Sequence, residues 1–164
     1  MTRATVLASL GLSLRAASAA WISLLVAQLV RLPHPIYAMI SAVIVTDMSA
    51  ARTRQLSLPR LVGTALGACL GALIDSFMKE SLLSVGLGIL LAMFLTQMLS
   101  LPDAAKVAGY ICGIVVLNYR GNPWSYALYR TGETVLGIAA AVLVSVVPKL
   151  ISIEESKPPE PLVP

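Results

Sequence analysis

The sequence predicts an all-α membrane protein, in which six transmembrane helices form one bundle. The first observation is composition: 57% of the 164 residues are hydrophobic, 12% are charged, and the mean hydropathy is +0.84. A soluble domain carries about 25% charged residues, and so short a chain could not bury this much apolar surface in a core of its own. The second observation is that breakers divide the apolar residues into six runs. We therefore expect the lipid bilayer to surround most of the chain.

Each run is predicted to be a helix, because a backbone in hydrocarbon has to satisfy its own hydrogen bonds. The predicted helices cover approximately residues 11–31, 36–50, 58–76, 81–101, 104–119 and 124–148. The breakers are Pro33 and Pro35 before the second run, Ser57-Leu58-Pro59 before the third, Pro102-Asp103 before the fifth and Gly121-Asn122-Pro123 before the sixth. The third helix is predicted to begin with a serine cap and with proline in its first turn.

The first run has some features of a signal peptide, since Arg3 precedes an apolar stretch at Val6–Leu14 and small residues follow at Ala16–Ala20. Serine and glycine interrupt that stretch, and apolar character resumes through Trp21–Val30. We therefore interpret this run as one transmembrane helix rather than as a cleaved signal.

The second and fifth runs are short. Residues 36–50 and 104–119 fall below the length of about 20 residues that a full span needs. They are expected to be half-buried, re-entrant or set in a locally thinned membrane. The transmembrane module is predicted to cover 1–150, and the charged, proline-rich tail at 151–164 is predicted to be disordered and cytoplasmic.

The basic residues predict the orientation. With the N-terminus in the cytoplasm, eight Lys and Arg residues lie on the inner side and four on the outer side. Because positive charge is retained on the cytoplasmic side, both termini are expected to be cytoplasmic, in the inner (plasma) membrane.

An internal repeat is the third feature of the pattern. Residues 60–67 and 130–137 share Arg, Thr, Leu and Gly at four of eight positions, at an offset of 70, which also superposes the starts of the first and fourth runs. The chain is therefore interpreted as two three-helix repeats, at about 11–76 and 81–148, with coincidence in a Leu-, Ala- and Gly-rich sequence as the alternative. Three is odd, so the second copy enters from the opposite face, and short segments at matching places indicate a translocation site.

Arg60 and Arg130 are the candidate anion-binding residues. Each is predicted to lie at the start, or within the first two turns, of the third helix of its repeat, where the helix dipole and free N–H groups favour an anion. Thr64 and Thr134 follow four residues later on the same face, and each offers a hydroxyl donor.

Two alternatives stay open for these arginines. Both could extend to lipid phosphates, although Arg130 lies about 10 Å along a helix that begins at Pro123, which makes this harder. Glu133, three residues further on, could neutralise Arg130 as a structural ion pair.

Three more charged residues are candidates on the predicted cytoplasmic side. Arg52 and Arg54 are interpreted as positive-inside residues, with a vestibule that attracts anions as the second interpretation. Asp47 caps the loop, pairs with an arginine, or carries a proton during transport. His34, between two prolines, is interpreted as a loop residue rather than as a proton relay.

Glycines predict close helix packing. Gly63, Gly67 and Gly71 recur every four residues, and Gly137 matches Gly67 in the second repeat. Small residues at this spacing let helices approach closely, and the partner helix lies either in the same chain or in a second subunit.

Other classes of function are excluded by what the sequence lacks. It has no phosphate-binding loop, no zinc spacing and no GxSxG motif, so neither an enzyme, nor a metal site, nor a cofactor is expected. Basic residues are scattered without interleaved aromatics, which excludes nucleic acid as a partner. Cys69 and Cys112 lie in apolar runs and are predicted to pack rather than to bind.

The stretches at 37–47, 60–68 and 130–137 resemble the fusaric acid resistance protein-like family, which includes bacterial aromatic acid exporters and is similar to plant aluminium-activated malate transporters. The resemblance covers about residues 10–150. It implies a six-helix module, export or channel conduction of organic anions, and a homodimer. Larger members add a cytosolic domain or a second membrane module, whereas about fifteen residues follow the last predicted helix here.

Carried over by position, Arg60 and Arg130 would line or border the anion path. The sequence therefore predicts transport of organic, aromatic anions, by an exporter or by a channel. The alternative is a membrane subunit that scaffolds a partner complex without transport. Such a subunit should turn its glycine stripe to a foreign helix and pair its arginines with Glu133 and Asp47.

Overall fold

The computed structural model describes residues 3–78, 81–118 and 122–146, and in these residues the chain forms six α-helices without strands. They are α1 (Arg3–Leu29), α2 (Ile36–Val45), α3 (Ala50–Phe77), α4 (Leu82–Met98), α5 (Pro102–Asn118) and α6 (Pro123–Val146). The predicted all-helical class is confirmed. The tail at 151–164, predicted to be disordered, lies outside the described residues.

Within the described residues, three helices are long and apolar enough to cross a membrane: Thr5–Leu29 within α1, then α3 and α6. The outward surface is rich in large apolar side chains, such as Phe77, Leu82 and Leu128, which are at least three-quarters exposed. So much exposed apolar surface is unsuited to water and suited to hydrocarbon. The second run is even shorter than predicted, because α2 has 10 residues and spans only about 15 Å.

The predicted start of α3 is wrong. The helix begins at Ala50, where the Ser49 side chain accepts a hydrogen bond from the backbone N–H of Arg52 at 3.3 Å, and Pro59 lies inside the helix. A proline inside a helix removes one backbone hydrogen bond, here to the carbonyl of residue 55, without ending the helix. Arg60 therefore lies about 15 Å from the helix start. The dipole effect fades within the first turn, so it does not act on Arg60 as predicted.

Close contacts between backbones hold the bundle together. A Cβ atom on Gly67 would overlap the backbone of Ala108 on α5, and a Cβ on Gly137 would overlap the carbonyl of Ala38 on α2. Gly63 and Gly71 also face α5. The partner of the glycine stripe is therefore a helix of the same chain.

Helices α3 and α6 contact each other at the centre, with α5 packed on α3 and α2 packed on α6. Helix α1 packs on α2 and α6, and α4 packs on α3 and α5. The buried core consists mainly of small residues, such as Ala68, Ala72, Ala92 and Ala141. Small core residues bring the helices close together, and this places polar side chains of α2, α3 and α6 in direct contact.

Candidate functional site

A chain of hydrogen bonds joins α3, α2 and α6 in the middle of the bundle. Arg60 donates to the hydroxyl of Ser41 from Nε at 3.4 Å and from Nη2 at 3.2 Å. Ser41 in turn donates to Thr134 Oγ1 at 3.5 Å. Thr134 lies one turn after Arg130 and donates to its carbonyl at 3.0 Å. The hydroxyl of Ser41 therefore connects the two predicted anion-binding arginines.

Both arginines are buried and lie close to tyrosine rings. Each is only 2% exposed. The guanidinium carbon of Arg130 lies 3.0 Å from the centroid of the Tyr37 ring, and that of Arg60 lies 5.5 Å from the centroid of the Tyr110 ring. The face of an aromatic ring attracts a cation, so each tyrosine partly compensates the guanidinium for lost water.

Three nitrogen atoms of these arginines have no hydrogen-bond partner in the described part of the chain. They are Arg60 Nη1, Arg130 Nε and Arg130 Nη1. Burying a donor of a charged group without an acceptor is costly. A carboxylate would satisfy such donors with short, charge-assisted hydrogen bonds, often two at once to a single guanidinium. The centre of the bundle therefore offers buried, charged donors for which the described residues supply no acceptor.

Glu133 is buried beside this centre and is 1% exposed. Its Oε1 accepts a hydrogen bond from the backbone N–H of His34 at 2.9 Å. The alternative of an ion pair with Arg130 predicts a carboxylate on the guanidinium. Instead, Arg130 Nε and Nη1 lack any acceptor among the residues described. The carboxylate of Glu133 therefore does not satisfy these two donors.

Two cavities meet this centre. The Arg60 cavity has a volume of about 500 Å³ and is lined by Ile44, Arg52, Gln55, Leu56, Pro59, Arg60, Asp103 and Val107. The Arg130 cavity has a volume of about 180 Å³ and is lined by Pro33, His34, Ser125, Tyr126, Tyr129, Arg130 and Glu133. The first is within the size range of sites for small organic ligands. Each cavity thus has one buried arginine in its wall.

Of the other predicted site residues, some line a cavity and others do not. Arg52 is exposed and lines the Arg60 cavity, whereas Arg54 is exposed and is not part of that lining. The hydroxyls of Thr64 and Thr134 donate to the carbonyls of Arg60 and Arg130, at 2.8 and 3.0 Å, rather than offering these hydrogens to an anion.

Asp47 acts locally. Its Oδ1 accepts a hydrogen bond from the backbone N–H of Ser49 at 3.3 Å. This matches the first of the three interpretations of Asp47, which is a cap of the loop before α3.

Sequence reasoning missed four residues of this site. Tyr37, Ser41 and Tyr110 contact the arginines, and Asp103 lines the Arg60 cavity. The spacing of Tyr37 and Ser41 was the available signal, because residues four apart share one face of a helix. No comparable signal marks Tyr110, whose position depends on the packing of α5 against α3.

Buried cations at the centre of an apolar helical bundle define an integral membrane protein with an internal polar site. A family model described as fusaric acid resistance protein-like matches residues 19–144, and the chain belongs to this family. Family membership associates the chain with membrane transport of small organic compounds rather than with enzymes. No curated protein and no solved structure matches the chain significantly.

Proposed function

We propose that this protein transports organic anions, aromatic carboxylates above all, across the inner (plasma) membrane, as an exporter or as an anion channel. The observation that carries this proposal is the pair of buried guanidinium groups with three unsatisfied nitrogens. Such groups are costly to retain in a membrane unless they serve a binding or translocation path.

The proposed path runs from the Arg60 cavity to the Arg130 cavity. The exposed Arg52 attracts the anion into the Arg60 cavity, where Arg60 binds it. The anion then passes the hydroxyl of Ser41 and reaches Arg130, which lines the other cavity. Both arginines therefore act on the same anion in sequence, and a site shared in this way lets an ion enter and leave without being trapped.

An inverted repeat is part of the proposal. Gly67 contacts Ala108, and Gly137 contacts Ala38. The two glycines are 70 residues apart in the chain, and so are the two alanines. Helices α1 and α4 also end alike, with Arg31 at φ 56° and Ser100 at φ 59°. In each helix, the residue after the one with positive φ donates its backbone N–H to a carbonyl five residues earlier. These bonds run from Leu32 to Ala27 and from Leu101 to Thr96. These correspondences support two related halves with opposite orientations.

The alternative of a scaffolding subunit has less support. That alternative expects the glycine stripe to face a foreign helix, but Gly63, Gly67 and Gly71 face α5 of the same chain. It also expects fully paired arginines, whereas Arg60 and Arg130 retain unpartnered nitrogens in the described residues. A homodimer with cytoplasmic termini is proposed from the family resemblance and from the distribution of basic residues.

The test is flux of radiolabelled benzoate in proteoliposomes, with chloride flux as comparison. Arg130→Gln should lower benzoate flux at least about tenfold, because a hydrogen-bonded charge contributes about 1.5–3 kcal/mol. The matched control is Lys106→Gln, which removes an exposed positive charge that lines neither cavity. Equal flux in wild type, Arg130→Gln and empty liposomes would refute the proposal and favour the scaffolding alternative.

A further inference from the structure

Glu133 is the one fully buried carboxylate in the lining of either cavity. Asp103, in the Arg60 cavity, is exposed, whereas Glu133 is 1% exposed and lines the Arg130 cavity. It lies three residues after Arg130, on the same face of α6. Its Oε1 accepts one backbone hydrogen bond, from His34 at 2.9 Å. This buried carboxylate is not hydrogen-bonded to Arg130 Nε or Nη1, so its position beside a proposed anion site calls for an explanation.

The charge of Glu133 depends on few neighbours. The titratable and charged groups around it are Arg130, Tyr126 and Tyr129 on α6, Tyr37 on α2 and His34 in the connection between α1 and α2. Burial first, and then the charge of Arg130, lower the pKa of His34 below its usual 6.5, so its imidazole is neutral at pH 7. Arg130 is therefore the cation that balances an ionised Glu133.

An anion at Arg130 changes this balance. The bound carboxylate would take the free Nε and Nη1 donors, and its negative charge would lie within about one helical turn of Glu133. Two negative charges would then share one buried cation, and their repulsion is strong where water is excluded. The neutral, protonated form of Glu133 relieves that repulsion. By reciprocity, a protonated Glu133 also strengthens binding of the anion by the same factor.

We propose that Glu133 takes up a proton when an anion binds at Arg130, so that the site binds anion and proton together. This inference rests on the proposed function, because it requires an anion at Arg130. The proton comes from the buffered solution and adds to a carboxylate oxygen of Glu133, leaving the conjugate base of the buffer in solution, and no covalent bond of the anion changes. The loaded site gains no net charge. Transport of a monovalent carboxylate with its proton is then electrically neutral, and the two move in the same direction.

The test measures protons directly. Benzoate is titrated into the purified full chain in detergent at pH about 7, in two buffers with different ionisation enthalpies, and the difference in heat gives the protons taken up per benzoate. Wild type should take up a proton at part of its sites, up to about one per benzoate, because any Glu133 already protonated in the free protein takes up none. Glu133→Gln retains an acceptor for the His34 N–H and should bind benzoate with no proton uptake. Asp47→Asn, which lines neither cavity, should keep the uptake of wild type.

The outcomes separate this inference from the proposed function. Benzoate binding without proton uptake, or uptake that persists in Glu133→Gln, overturns the inference and leaves the anion site intact. Absence of benzoate binding by folded wild type overturns both. If Glu133→Gln does not fold, wild type and Asp47→Asn still decide the matter. Their benzoate Kd should rise with pH above neutrality, by up to about tenfold per pH unit where Glu133 is ionised in the free protein. A Kd that is independent of pH from about 6 to 9 overturns the inference.

Discussion

Arg130 on α6 and Tyr37 on α2 are in direct contact, with the guanidinium carbon 3.0 Å from the centroid of the ring. The Tyr37 hydroxyl is itself held by Tyr126, which donates to it at 3.4 Å. One face of the cation is therefore covered by an aromatic ring, while Nε and Nη1 at its edge lack partners. This arrangement stabilises the charge and leaves two donors at the edge of the guanidinium available for a hydrogen-bond acceptor.

The ring of Tyr37 should matter more than its hydroxyl. Tyr37→Leu removes the aromatic face and should lower the free energy of unfolding by about 1–2 kcal/mol beyond the change in apolar contact, because a desolvated cation–π contact is worth about that much. Tyr37→Phe keeps the ring, loses only the bond to Tyr126 and is the matched control. The measurement is unfolding in mixed micelles. Equal loss of stability in both variants would show that the hydroxyl, and not the ring, stabilises Arg130.

Ser41 should be required for the position of Arg60. Ser41→Ala removes the acceptor of Arg60 Nε and Nη2, leaving more buried donors unsatisfied, so the protein should lose about 1–3 kcal/mol of stability. Benzoate flux should fall with it. The control is Ser76→Ala, since Ser76 bonds only to the Ala72 carbonyl within its own helix. If Ser41→Ala matches Ser76→Ala in stability and in flux, the hydrogen bonds of Ser41 contribute neither to stability nor to transport.

The glycine contacts predict a sharp steric effect. Gly67→Ala and Gly137→Ala each place a Cβ in the backbone of the facing helix, and each should destabilise the protein by at least about 2 kcal/mol. Gly132→Ala on α6 is the matched control, because its Cβ would meet nothing within 4 Å. Alanine also favours a helix, so this control should be as stable as wild type or more so. Unfolding measurements that rank the three variants equally would contradict the packing described above.

Arg52 and Arg54 should differ in transport although they are two residues apart. Arg52→Gln should lower benzoate flux several-fold at low salt, because Arg52 lines the Arg60 cavity and attracts anions to it. The effect should vanish near about 1 M salt, where the screening length falls to about 3 Å. Arg54→Gln should leave flux unchanged. Equal losses in the two variants would indicate a general effect of positive surface charge rather than attraction into this cavity.

Much of the fold was readable from the sequence because hydropathy and breakers act locally. The six runs, the short second helix and the close packing of Gly63, Gly67 and Gly71 all follow from composition and spacing. The start of α3 was not readable, because the Ser57-Leu58-Pro59 pattern of a helix start also occurs inside a continuous helix. There, Ser57 donates to the carbonyl of Thr53 at 2.7 Å.

The sequence predicts the two arginines of the site but not the residues that surround them. Arg60 and Arg130 stand out because charges are rare in apolar runs. Their surroundings depend on contacts distant in sequence, which spacing along one helix does not encode. Glu133 is the clearest case: spacing left an ion pair with Arg130 open as an alternative, but nothing in the spacing indicates that its carboxylate accepts the N–H of His34, 99 residues away in the chain.

The glycine contacts have a mechanical consequence. Where the backbone of α3 meets that of α5, and the backbone of α6 meets that of α2, no side chain stands between the helices to rotate aside. Each pair is therefore a stiff two-helix block, and Arg60 and Arg130 belong to different blocks. A rearrangement that changes the separation of the two guanidinium groups has to occur as sliding between the blocks. The two hydrogen bonds from Arg60 to Ser41 cross between the blocks, and such long, replaceable bonds offer little resistance to this shift.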